Sequence, residues 1–146
     1  KVIENWDKLK KREKKQETVG SEMEMVAKSL PSLWRAEKLQ LKAAKAGFDW
    51  EDISGALDKL EEEINELKAA IAGRGNMEEE LGDLLFSAVN TARFIKSDPE
   101  AALHKSCEKF IERFKRLEKR ARELGKELTD MTLDEMDKLY NQEKHH

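Results

Sequence analysis

The chain is poor in the residues that punctuate β-rich folds. It has two prolines and seven glycines in 146 residues, too few for the repeated turns of a β-sandwich. Cys107 is its only cysteine, which excludes an intrachain disulfide and a cysteine-rich zinc site. No apolar run approaches the ~20 residues of a membrane-spanning helix, so a membrane is not among the expected partners. An excess of positive charge is missing too. Lys and Arg number 28 against 31 Asp and Glu, a net charge of −3 that argues against binding a nucleic-acid polymer. The glycine-rich GxxxxGK[ST] phosphate loop is absent, which excludes a P-loop mechanism. No signal peptide opens the chain, and a lone thiol suits the cytoplasm, the expected location. Because Lys1 stands where a methionine would begin a whole protein, the expectation is a piece of something longer. His145 and His146 read as a tag remnant.

What is present is charge in a helical period. Charged residues make up 40% and hydrophobic residues 38%, adequate for helices that each carry one apolar stripe. Residues 1–19 are expected to form a charged N-terminal helix or linker, and residues 20–144 a helical domain. Within it, 20–32 is weakly patterned, and Ser32 is the expected N-cap of a helix over 33–46 that Gly47 ends. GFDW follows at 47–50. A helix over 52–72 carries Ile53, Leu57, Leu60, Ile64, Leu67 and Ile71 in alternating steps of four and three, the spacing of a bundle seam. After the turn at 72–76, a helix over 77–96 has Met77, Leu81, Leu84, Leu85, Ala88, Ala92 and Ile95 on one face. Phe86 and Phe94 lie off that face. A helix apolar on several sides is usually central, and in a chain this short its burial calls for a second subunit. Asp98 and Pro99 open a further helix bearing Leu103, Cys107, Phe110, Phe114, Leu117, Ala121 and Leu124. Thr132 and Glu135 form a capping box for a last helix through Tyr140. The expected fold is therefore an all-α, dimeric helical bundle.

Two acidic pairs carry the chemistry. Glu63 and Glu66 are three apart in EEEINE, and Glu80 and Asp83 three apart in EELGD, so each pair shares a helix face. Counted from Arg74 in the turn, the first pair lies eight and eleven residues back, and the second six and nine forward. In an antiparallel hairpin the mean offset is about two residues, or ~3 Å along the axis. Four carboxylates at one level repel, and a cation relieves them. Ligands that are all oxygen suit a hard ion: Mg²⁺, Mn²⁺ or Ca²⁺. Di-iron bundles use Glu-x-x-His, which neither pair contains, and the only internal histidine is His104. The bland alternative is that 31 acids produce such pairs by chance on solvated faces. It fits Glu63 and Glu66 better than Glu80 and Asp83, which sit in the most apolar helix. Gly82, between the latter, costs ~1 kcal/mol in a helix. A close approach of backbone, ion or ligand would explain it, and so would a plain packing contact. Lys109 and Arg113, four apart, can meet phosphate oxygens or pair with acids. Lys38 and Lys42 are a weaker pair of the same kind. Phe48, Trp50 and Tyr140 can stack on a base or fill a core. Carboxylate-held Mg²⁺ keeps waters and binds phosphates, which points to phosphoanhydride hydrolysis with one further carboxylate as base.

The stretches LPSLWRAEKLQLKAAKAGFDW, DKLEEEINELKAAI, EEELGDLLFSAVNTARF and EKFIERFKRLE resemble the MazG nucleoside triphosphate pyrophosphohydrolases. The resemblance is strongest to the C-terminal catalytic domain of the two-domain bacterial proteins, and it covers about 4–143. It implies an all-α fold that assembles as a homodimer or a dimer of dimers, with each site completed by the neighbouring subunit. It implies hydrolysis of NTPs and dNTPs between the α and β phosphates to monophosphate and pyrophosphate. The cofactor implied is Mg²⁺, with Mn²⁺ as a substitute, and the role is housecleaning of the nucleotide pool. Glu63, Glu66, Glu80 and Asp83 map onto the metal ligands, and Lys109 and Arg113 onto the phosphate-binding pair. Glu62 and Glu79 are the candidates for activating water. Tyr140 stands where the family often has tryptophan near the substrate, and Cys107 where asparagine is common. Two further readings stay open. One is a non-catalytic helical dimerisation module of a longer protein. The other is a relative restricted to a substrate such as dUTP or phosphoribosyl-ATP.

Overall fold

The structure is a computed structural model that describes residues 18–142. Most of the expected N-terminal charged segment, and His145 and His146, lie outside the described residues. No strand occurs among the described residues. The helices are α1 (Val19–Glu24), α2 (Ser32–Lys45), α3 (Ile53–Ile71), α4 (Met77–Phe94), α5 (Pro99–Glu123) and α6 (Leu133–Asn141), with a 3₁₀ turn at Leu128–Asp130.

Local chemistry sets most of these limits. The Asp52 carboxylate accepts from Ser54 N–H at 2.8 Å, and Asn76 Oδ1 from Glu79 N–H at 3.1 Å, so both hairpin helices start on side-chain caps. Thr132 caps α6 by accepting from Glu135 N–H at 3.2 Å, while its hydroxyl donates to the Glu135 carboxylate. At the end of α2, Gly47 takes φ +96°. Its N–H donates to Ala44 O at 3.0 Å, and Phe48 N–H to Ala43 O at 2.9 Å. This closure favours glycine, which has no Cβ to clash in the left-handed region. One expectation is corrected here. Ser32 is the first residue of α2, not its cap: Pro31 holds the N-cap position, with no side-chain hydrogen bond. The weakly patterned 20–32 region holds most of α1, which the sequence pattern did not announce and whose start Thr18 caps by accepting from Ser21 N–H at 3.0 Å.

The chain forms two compact units that divide between Glu100 and Ala101. In the first, α3 and α4 form a hairpin in contact along its length, α2 packs on α4, and α1 on α2. The expected seam on α3 is only partly sheltered, with Ile53, Leu60 and Leu67 half-buried. Ala56 and Ala70 are 1% and 3% exposed, with Glu63 at 6% midway between them. Leu57, Ile64 and Ile71, one position further on, are exposed. Residues seven apart recur on one face, and small ones let two helices approach closely. Leu57, Ile64 and Ile71 are thereby turned away from the hairpin contact. On α4, Val89 and Ser87 are buried, while Met77, Leu81, Leu85 and Phe86 stay exposed. In the second unit Leu117, Ala121 and Met131 form the buried apolar centre. The expected stripe on α5 is buried only at Leu117 and Ala121, since Leu103, Cys107, Phe110, Phe114 and Leu124 are exposed.

Candidate metal centre and adjoining cavity

Because Glu63 shares the buried line of Ala56 and Ala70, its carboxylate is turned toward α4. There it meets Glu80 and Asp83: one oxygen from each of the three lies within 4.8 Å of the others. Lys59, one turn before Glu63, places its ammonium 3.2 Å from Glu63 Oε1 and 3.4 Å from Glu62 Oε1. Glu63 Oε2 is buried and has no hydrogen-bond partner among the described residues. An orphaned carboxylate oxygen in a dry position is costly unless a cation or donor reaches it. The Glu80 carboxyl is pushed above its ordinary range, first by burial and then by the charges of Asp83, Glu66, Glu63 and Glu79. The donor set is all oxygen and short of positive charge, which fits a hard divalent ion.

The other sequence candidates fall as follows. Glu66 is exposed and outside the close trio, although its charge reaches Glu80. Glu62 is exposed and paired with Lys59, and Glu79 is an exposed residue of the first turn of α4. A Cβ built on Gly82 meets no atom of the described residues within 4 Å, so no packing contact among them requires that glycine. Lys38 and Lys42 line a cavity of about 470 Å³ beside Met25 and Leu41, with Lys42 4.0 Å from Glu22. Lys109, Arg113 and Tyr140 belong to the second unit, where Lys109 is exposed and the Tyr140 ring stands 6.1 Å from that of Phe110.

Phe48 and Trp50 come together on a second cavity of the first unit, about 610 Å³ in volume. Lys59 lines this cavity as well as pairing with Glu63, so the cavity adjoins the acidic trio. Phe48 is 79% exposed and Trp50 44%. The Trp50 ring lies against α3 at Gly55, where a Cβ would stand 2.8 Å from ring atom Cε3. Arg93 bonds both Asp49 carboxylate oxygens, at 2.6 and 3.2 Å, and this guanidinium holds the Asp49 carboxyl below its usual range. Gln40 is buried at the cavity wall, with its Nε2 donating to Phe86 O at 2.8 Å. Sequence reasoning missed Lys59, Gln40, Asn90 and Arg93. Lys59 was within reach, because a lysine four residues before a glutamate shares its face. Gln40 was marked only by its place among the apolar residues of α2. Arg93 finds its partner 44 residues away, and no local pattern announces that.

Comparison with known proteins bears on the same segment. Residues 51–119 match the MazG nucleotide pyrophosphohydrolase domain. This range contains both acidic pairs together with Lys109 and Arg113. The chain is 37% identical over 147 residues to the nucleoside triphosphate pyrophosphohydrolase of Escherichia coli (strain K12), covering 98% of this chain and 56% of that protein. It is 40% identical over 139 residues to the nucleoside triphosphate pyrophosphohydrolase/pyrophosphatase MazG of Thermotoga maritima, covering 95% of this chain and 54% of that one. It is 46% identical over 146 residues to the uncharacterized protein YabN of Bacillus subtilis (strain 168), covering 98% of this chain and 30% of that one. The chain thus spans about half the length of the first two relatives.

Proposed function

We propose that this chain, whose residues 51–119 match the MazG nucleotide pyrophosphohydrolase domain, hydrolyses nucleoside triphosphates, ribo and deoxy, between the α and β phosphates. The products are the monophosphate and pyrophosphate, and the role is to clear the cytoplasmic nucleotide pool of excess or aberrant members. The observation that carries this reading is the trio Glu63, Glu80 and Asp83, with Glu63 Oε2 buried and unpartnered among like charges.

In this reading Glu63, Glu66, Glu80 and Asp83 hold Mg²⁺, with Mn²⁺ as a substitute. When bound, the ion supplies positive charge against the phosphate oxygens and makes water more acidic. The chain does the rest. Lys109 and Arg113 bind phosphate oxygens, and Arg113 suits them bidentately. Lys38 and Lys42 are the lesser phosphate candidates, since they line a cavity other than the one Lys59 shares with Glu63. Glu62 or Glu79 accepts the proton of the attacking water; both are exposed and outside the close trio. Phe48 and Trp50 offer ring faces to the base, and Tyr140 is the third base contact. The exposed Leu57, Ile64, Ile71, Leu81 and Leu85 support assembly as a homodimer or dimer of dimers, because a single chain leaves them to water.

The test is incubation of the protein with each NTP and dNTP in Mg²⁺, with assay of pyrophosphate and monophosphate. Equal amounts of both are expected. Orthophosphate with diphosphate would contradict the assigned bond. Turnover of a single nucleotide would favour the narrow-specificity reading. No turnover of any would favour the non-catalytic dimerisation module, which the same exposed apolar face suits.

A further inference from the structure

Arg93 lines the 610 Å³ cavity, and a guanidinium beside a triphosphate site invites assignment as a phosphate ligand. Its bonds argue otherwise. Nη1 and Nη2 donate to the Asp49 carboxylate at 3.2 and 2.6 Å. Nε and Nη2 donate to Asn90 Oδ1 at 3.0 and 2.7 Å. The guanidinium carbon stands 5.1 Å from the Phe94 ring centroid, and the side chain is 11% exposed. A fork spent on a carboxylate and an amide has little left for an incoming anion.

The bond continues into the loop. Asp49 lies between Phe48 and Trp50, and its Oδ1 also accepts from Trp50 N–H at 2.9 Å. Arg93 on α4 therefore grips the backbone that carries both exposed rings. The Trp50 ring itself lies against the bare Gly55. Two anchors, one on each hairpin helix, set where the rings stand at the mouth of the cavity.

We propose that Arg93 is a positioning residue. Through Asp49 it holds Phe48 and Trp50 as the stacking mouth for a planar heteroaromatic ring, the base of the nucleotide, and it makes no phosphate contact. This rests on the reading of the cavity as the base subsite, and the test separates the two. The protein is prepared with Trp6→Phe and Trp34→Phe, leaving Trp50 as the reporter, and R93K and D49N are added singly. Helical content by circular dichroism verifies folding, and D49N breaks the same clamp from the other side should R93K fail to fold. R93K keeps the charge and loses the fork. The expected results are a Trp50 more accessible to acrylamide and a KM for the triphosphate raised about tenfold, the scale of a lost charge-assisted hydrogen bond, with kcat unchanged. D49N should do the same. Unchanged quenching in both variants would overturn the clamp. Altered quenching with unchanged KM would overturn its role in binding, and a fall in kcat at constant KM would place Arg93 at the reacting atoms instead. If the parent turns over no nucleotide, the activity reading fails, and quenching alone decides whether Arg93 positions the rings.

Discussion

Gly82 offers a clean perturbation. It lies inside α4, between Glu80 and Asp83, and glycine in a helix interior costs roughly 0.8–1 kcal/mol relative to alanine. A Cβ at this position meets no atom of the described residues within 4 Å, so the methyl group brings no overpacking to offset that gain. Gly82→Ala should therefore stabilise the metal-free protein by about 1 kcal/mol, or roughly 2–4 °C in Tm for a chain of this size. Urea unfolding followed by circular dichroism measures it, as a higher midpoint with an unchanged slope. A lower midpoint would refute the reasoning, because it would mean that something already occupies the space beside the glycine. Turnover of the same variant adds a second reading. A more stable protein with less activity would show that an occupant of the acidic site, and not the fold, calls for the glycine.

Three further outcomes follow from the geometry. Glu80→Gln or Asp83→Asn should reduce turnover by about two orders of magnitude or more, as expected for loss of one charged ligand in a preorganised site, with helical content retained; activity within a few-fold of the parent would remove these residues from the metal set. The Asp49 carboxyl is held down by Arg93, so its contribution to stability is complete above the ordinary carboxylate range and is lost as pH falls through the lowered folded value. Trp50 fluorescence should thus change only in acid, below about pH 4, and a transition near neutrality would contradict the clamp. Lys96 closes α4 at φ 55° without being glycine, with Ser97 N–H donating to Ala92 O at 3.1 Å. Relief of left-handed strain, less the entropy of a freer unfolded chain, should make Lys96→Gly more stable by about 0.5–1 kcal/mol, and a lower Tm would count against that reading.

Helix limits were legible because their causes are local. Asp52, Asn76 and Thr132 cap helices with their own side chains, and Gly47 follows α2 where a left-handed residue is needed. Where two local signals competed, the reading slipped. Ser32 is a good cap by type, but Pro31, whose ring fixes φ, took the position before it. The acidic pairs were legible in register, because helical rise and a short turn bring 63 and 83 to within about two residues of one level, or ~3 Å along the axis. Their unequal roles were not. Helix rotation buries Glu63, leaves Glu66 exposed, and determines which oxygens come within reach of one another.

From its amino acids alone this chain settled that it is helical, where most of its helices begin and end, and that acidic residues of two helices approach one another across a hairpin. Each of these depends on neighbours within a few residues or on the constant rise of a helix. Only the tertiary structure decided that α3 packs through Ala56, Glu63 and Ala70 while Leu57, Ile64 and Ile71 turn outward. It also decided that Arg93 holds Asp49 across 44 residues, and that Lys59 joins the cavity to the acids. Period names a stripe, but the rotation of a helix against its neighbour is set by close packing of whole surfaces, which no local run of residues encodes.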